Sequence, residues 1–128
     1  MGNGTSIGKV RGLGAAHHGA HHWLVQRFTA AGNVVLMSWF VISLALLGDF
    51  SHASIVKWLS QPIPATAMIL LVISLFWHAR LGLQVVIEDY IHDAGSKFAL
   101  IAALNLATIG GGAVAIFSVA SLAFGRTV

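Results

Sequence analysis

His78, Asp89 and Tyr90 stand out as residues that could do chemistry, because they lie on or just beyond one long apolar stretch, Leu59 to Ile87. An ionisable side chain within a bilayer is costly and is a functional candidate by default. An imidazole offers a metal-ligating nitrogen. A phenol can donate to a carbonyl oxygen, and a neighbouring carboxylate can orient it or relay protons. Asp89 and Tyr90 follow His78 by eleven and twelve residues. That is about 17–18 Å along a helix axis. The pattern suggests a cofactor within the membrane and a reaction at its surface.

On a helical wheel, His78, Gly82, Val85 and Asp89 share a narrow sector, and Arg80, Gln84 and Glu88 lie opposite. Gly82, one turn from His78, leaves room for a flat macrocycle against the helix. Haem iron is commonly held by histidine. The alternative for His78 is a hydrogen bond to a neighbouring helix. Arg80 costs about 2.5–3.5 kcal/mol at a span centre on insertion scales. It would bind a haem propionate, snorkel to the headgroups or be neutralised by a partner. The expectation is neutralisation, with Gln84 and Glu88 offered on its own face. Tyr90 by itself also reads as an interfacial anchor.

The elements that position these residues follow from composition. Of 128 residues, 57% are hydrophobic and 9% charged, against about 25% charged in soluble domains. So few charges point to an integral membrane protein. The seven Lys/Arg and four Asp/Glu are scattered, so no nucleic-acid patch is read. With no cysteine, the chain carries no disulfide, thiolate zinc site or cysteine-ligated iron–sulfur cluster.

Three apolar runs of spanning length are expected at about 28–48, 64–90 and 98–125, preceded by a polar segment, 1–27. The fold class is all-α with three transmembrane helices, since lipid admits only helices and closed barrels and strand alternation is lacking. Gly48-Asp49 ends the first run, Gln61-Pro62-Ile63-Pro64 interrupts the chain before the second, and Ser96 is a candidate cap for the third. Lys57-Trp58-Leu59 reads as a short interfacial segment, with Trp58 at headgroup depth. Lys9, Arg11, Arg27 and Lys97 fall on one side of the membrane, and Lys57 and Arg126 on the other. The positive-inside rule then puts the N-terminus in the cytoplasm. In the third run, Ala99, Ala103, Ala107, Gly111 and Ala115 form a row of small residues suited to close helix approach. Chance in an alanine-rich helix is the other explanation. Asn105 reads as a packing hydrogen bond.

The segment Met1 to Arg27 lacks the apolar core of a secretory signal. Its few basic residues and lack of acids weakly resemble an organelle transit peptide. An uncleaved bacterial N-terminus is the expectation, hence a bacterial inner membrane, with the mitochondrial inner membrane as the alternative. His17, His18, His21 and His22 would make two i, i+4 pairs on a helix. That spacing suits zinc or copper, but no carboxylate or cysteine completes the set.

The stretch His78-Ala-Arg-Leu-Gly82-Leu-Gln-Val-Val-Ile-Glu-Asp89-Tyr90 has the pattern HxxxGxxxxxxDY. It resembles the smaller hydrophobic membrane anchor of succinate dehydrogenase, also called succinate:quinone oxidoreductase or complex II. His22-Trp23-Leu-Val-Gln26-Arg27-Phe-Thr29-Ala30 is similar to that family's H-W-x-x-Q-R-x-T-A stretch. The resemblance covers most of the chain. It implies that His78 is one axial ligand of haem b, the second coming from the larger cytochrome b anchor subunit. It implies that Tyr90 bonds a ubiquinone carbonyl, supported by Asp89. It places Arg27 and His21 near the haem propionates and quinone pocket. The implied partners are that larger anchor, an iron–sulfur subunit and a flavoprotein subunit. Nothing in the family pattern asks for a charge at Arg80.

The resulting expectation is a subunit of an oxidoreductase complex, without activity when isolated. It docks the soluble subunits and takes part in electron transfer from succinate to ubiquinone. Three other readings stay open: an anchor of a related fumarate reductase, a haem-free structural anchor, and a small metal-binding or transport protein built on the N-terminal histidines.

Overall fold

The computed structural model describes residues 19–125. Within them run four helices: α1 (Gly19–Leu47), α2 (His52–Leu59), α3 (Pro62–Tyr90) and α4 (Ala94–Ala123). There is no strand among the described residues. Three of the helices, α1, α3 and α4, are long and apolar enough to cross a membrane. The all-helical, three-span expectation therefore matches the fold.

Helix α3 is the shared element, packing against α1 and against α4, while the short α2 leans on both α3 and α4. Only a few apolar residues are buried, among them Leu59, Leu71, Leu81 and Val119. Large apolar side chains such as Phe28, Val34, Leu46, Ile63, Leu106 and Phe117 stay exposed. A water-soluble bundle would not tolerate that distribution, and lipid accepts it because acyl chains are as apolar as leucine.

The helix boundaries refine the sequence reading. Helix α1 begins at Gly19, inside the segment set apart as 1–27, and so carries His21, His22, Trp23 and Arg27. The other two long helices also start earlier than expected. Pro62 and Pro64 do not delay α3: they sit in its first turn, after Gln61 as N-cap. The amide hydrogens missing there have no helical acceptor in any case. Asp93, not Ser96, caps α4, its carboxylate accepting from the Ser96 backbone N–H at 2.7 Å. That bond first, then the Ser96 hydroxyl, holds the Asp93 carboxyl below its usual range.

At the other end of the bundle, Gly48 takes φ +69° and stops α1, a conformation glycine adopts without a Cβ clash. Asp49 then accepts from the hydroxyls of Ser51 and Ser54 and from the Ser51 backbone N–H, and Ser51 caps α2. Trp58 of α2 stacks on Trp39 of α1, with ring centroids 5.8 Å apart.

The row of small residues in α4 meets α3 at Gly111. Phe76 of α3 packs onto Gly111, where an added Cβ would lie 2.9 Å from the ring. Ala99, Ala103 and Ala107 are exposed. Ala115 is half-buried, and at Gly111 the close approach is a side chain seated on a glycine.

Candidate functional site

A cavity of about 680 Å³ opens between α1 and α3. Its α3 wall is His78, Gly82, Val85 and Glu88, and its α1 wall is His22, Trp23, Gln26, Arg27 and Ala30. From Trp23 the α1 residues recur at i, i+3, i+4 and i+7, one helical face. His78, Gly82 and Val85 form the face expected from the wheel.

The His78 ring is fixed from one side. Its Nδ1 lies 3.1 Å from Thr29 Oγ1. Thr29 Oγ1 also lies 2.9 Å from the Val25 carbonyl and 3.0 Å from the Gln26 carbonyl of its own helix. The Nε2 atom of His78 has no hydrogen-bond partner among the described residues. One turn earlier, Ser74 Oγ donates to the Thr29 carbonyl at 3.3 Å. Both alternatives for His78 thus have a foothold: the ring does bond a neighbouring helix, and it keeps one nitrogen for another partner.

Gly82 has a more specific neighbour than open space. An added Cβ there would meet Gln26 Nε2 at 3.6 Å. The amide of Gln26 thus takes up part of the room expected for a macrocycle. Its Oε1 is buried without a hydrogen-bond partner among the described residues. A buried amide oxygen in that state is costly, and a bound group or water can satisfy it.

Arg27 lies over the Trp23 ring, 4.2 Å from its centroid. The ring holds the guanidinium at the cavity wall and leaves its N–H groups for an anion. His21, the histidine expected near this region, is exposed, and His22 lines the cavity in its place. His17 and His18 lie outside the described residues. No group of three metal-ligating side chains occurs among the described residues.

Asp89 and Tyr90 end α3 and are exposed, Tyr90 by 77%. Neither lines the cavity, and among the described residues no hydrogen bond joins them. Their neighbour Glu88 brings the cavity to the same end of the helix. The described residues therefore present Tyr90 and Asp89 outward and do not enclose them in a pocket.

Arg80 faces the other way. Its Nε donates to Asn105 Oδ1 of α4 at 2.5 Å, and its guanidinium lies 5.7 Å from the Trp77 ring centroid. Its hydrogen-bond partner is the uncharged amide of Asn105, and the carboxylate expected to neutralise it, Glu88, instead accepts from Gln84 at 2.8 Å. Arg80 lines a second groove, between α3 and α4, turned from His78.

Sequence reasoning assigned no role to Thr29, Gln26 or Trp23 and read His22 only as a member of the histidine cluster, although the family-like stretch contains them all. The signal was their spacing on one face, readable once the helix is started at Gly19 and not at Phe28.

The chemistry available is an imidazole nitrogen without a partner among the described residues, apolar walls at Ala30 and Val85, and a guanidinium at the edge. An imidazole nitrogen of this kind can ligate a metal, and a guanidinium binds carboxylates. The cavity is open on one side.

Comparison with known proteins agrees in the same direction. Residues 1–112 match the family described as succinate dehydrogenase/fumarate reductase transmembrane subunit. The chain is 40% identical over 106 residues to the succinate dehydrogenase hydrophobic membrane anchor subunit of Rickettsia bellii, covering 82% of this chain and 84% of the relative. The subunit of the same name from Paracoccus denitrificans is 30% identical over 122 residues, with 93% and 92% coverage. The succinate dehydrogenase membrane anchor subunit of Reclinomonas americana is 27% identical over 94 residues, with 71% and 78% coverage. No solved structure gives a significant match. With three spanning helices and this likeness along most of its length, the chain belongs to the succinate dehydrogenase/fumarate reductase transmembrane subunit family, among the membrane anchors of succinate dehydrogenase.

Proposed function

We propose that this chain is one half of a two-chain membrane anchor that docks the flavoprotein and iron–sulfur subunits, shares haem b and helps form the ubiquinone site. The observation that carries the reading is His78, on the wall of an open cavity within the membrane-spanning region. Its Nδ1 is engaged by Thr29, and its Nε2 is without a partner among the described residues. Apart from the Gln26 amide, which narrows the space at Gly82, the residues around it suit haem. Val85 and Ala30 give apolar walls, Arg27 gives a cation for a propionate, and the open side leaves space for a second anchor chain with its own histidine. When bound, haem b supplies a one-electron store.

Tyr90 would donate its O–H to a ubiquinone carbonyl oxygen. That bond strengthens as the oxygen gains charge, so it favours the reduced form. Asp89 beside it would hold a proton for transfer. The exposure of Tyr90 supports a site completed by neighbouring subunits. Electrons would arrive from iron–sulfur clusters in a partner, since this chain has no cysteine to hold one. Named relatives from Rickettsia and Paracoccus support a bacterial inner membrane and the succinate-oxidising direction. The Lys/Arg distribution supports a cytoplasmic N-terminus, with Arg27 and Tyr90 on that side.

The test is gentle purification of the tagged chain from its native membrane, with oxidised and reduced visible spectra and identification of the co-purifying subunits. A b-type spectrum with a flavoprotein, an iron–sulfur protein and a second small anchor is expected, and His78→Ala should alter it. The same partners without haem would leave a haem-free anchor. No such partners would overturn the reading.

A further inference from the structure

We infer that Thr29 is the positioning residue for the His78 imidazole, fixing its proton on Nδ1 and presenting the Nε2 lone pair to iron. This rests on the reading of His78 as a haem ligand. The protons around one oxygen decide the matter. Thr29 Oγ1 has three close neighbours: the Val25 carbonyl at 2.9 Å, the Gln26 carbonyl at 3.0 Å and His78 Nδ1 at 3.1 Å. A hydroxyl has one proton to give. The two carbonyl oxygens have none. If the hydroxyl proton pointed at Nδ1, the lone pairs of Oγ1 would face both carbonyl oxygens with no hydrogen between them, which is repulsive. The hydroxyl proton therefore goes to the carbonyls, as threonine commonly does within a helix. Oγ1 then meets Nδ1 as an acceptor, and Nδ1 carries the hydrogen. In the neutral ring the remaining lone pair is on Nε2, the nitrogen without a partner among the described residues.

The position of Thr29 is itself held across the helix pair. Ser74, one turn before His78, donates to the Thr29 carbonyl at 3.3 Å. At the same level α1 and α3 lie side by side, a Cβ added at Gly32 falling 3.5 Å from Ser74 Oγ, an ordinary van der Waals distance. Thr29 thus touches α3 through both its hydroxyl and its carbonyl. The chain Nδ1–H to Oγ1–H to carbonyl is polarised in one direction, which makes Oγ1 a better acceptor and Nε2 a better donor to a metal. A stronger donor favours ferric over ferrous iron and lowers the midpoint potential.

The test uses the whole complex carrying Thr29→Val, which keeps the shape and loses the hydroxyl, and Thr29→Ser, which keeps the hydroxyl. His78→Ala is the ligation control. The readouts are haem content, the haem midpoint potential and the low-spin electron paramagnetic resonance g-values. Thr29→Val should raise the potential, shift the g-values and speed haem loss, and Thr29→Ser should restore all of them toward wild type. Wild-type values in Thr29→Val beside altered haem in His78→Ala would overturn this inference alone. Equal defects in Thr29→Ser and Thr29→Val would overturn it too, because the hydroxyl would not be the determinant. Unaltered haem in His78→Ala would remove the ligation reading, and the inference with it.

Discussion

Arg80 of α3 donates its Nε hydrogen to Asn105 Oδ1 of α4, so the one guanidinium in the long apolar part of α3 is met by a neutral amide on the next helix. The bond joins two membrane helices where water does not compete. Hydrogen bonds between membrane helices contribute about 1–2 kcal/mol at their stronger end. Asn105→Leu should lower the thermal stability of the assembled complex by an amount of that order, about 1–2 kcal/mol. Adding Arg80→Leu should recover part of the loss, because the unpaired charge is then gone. A stability for Asn105→Leu equal to wild type would show that the pair does not hold α3 to α4.

Phe76 and Gly111 give a steric prediction. A Cβ at Gly111 would lie 2.9 Å from Phe76 Cε1, whereas one at Gly112 would lie 3.8 Å from the same ring. Gly111→Ala should therefore destabilise the α3–α4 contact by about 1–3 kcal/mol, the usual range for overpacking. Gly112→Ala should be nearly neutral at that contact. Melting of the purified complex distinguishes the two, and equal behaviour would refute the asymmetry.

Asp49 predicts a pH dependence outside the membrane. The Ser51 hydroxyl first, then the Ser54 hydroxyl and the Ser51 backbone N–H, lower its carboxyl from 3.8 to about 2. A depressed folded value means that the junction's stabilisation is full above pH 3.8 and fades as pH falls toward about 2. The turn between α1 and α2 should stay intact through mildly acidic pH. Carboxyl carbon resonances in detergent should show this late titration. A midpoint near 3.8 would mean that the serine bonds are absent in solution.

Tyr90→Phe removes the proposed donor to the quinone and keeps the ring. Quinone reduction should fall roughly tenfold, the effect of one hydrogen bond at the upper end, with assembly and haem content unchanged. Wild-type turnover in a fully assembled complex would remove Tyr90 from the site.

Much of this protein was legible in the chain. Three runs without enough charge to meet water require three membrane helices, and a period near 3.6 puts His78, Gly82 and Val85 on one face. Boundaries were harder to place because polar residues such as His21, His22 and Arg27 look like the end of an apolar span, although the helix continues through them to Gly19. The prolines at 62 and 64 looked like interruptions because their tolerance in a first turn depends on where the helix starts. For Arg80, spacing along one helix offered Gln84 and Glu88, while the partner came from α4.

Hydropathy and helical period, both local properties of the chain, set the solvent of this protein and the face on which its histidine lies. What each polar group meets is a matter of helix packing: Thr29 for His78, Asn105 for Arg80, Gln26 against Gly82 and His22 on the cavity wall where His21 was expected. Those pairings depend on how α1 and α4 are rotated and raised against α3, and no single helix carries that information.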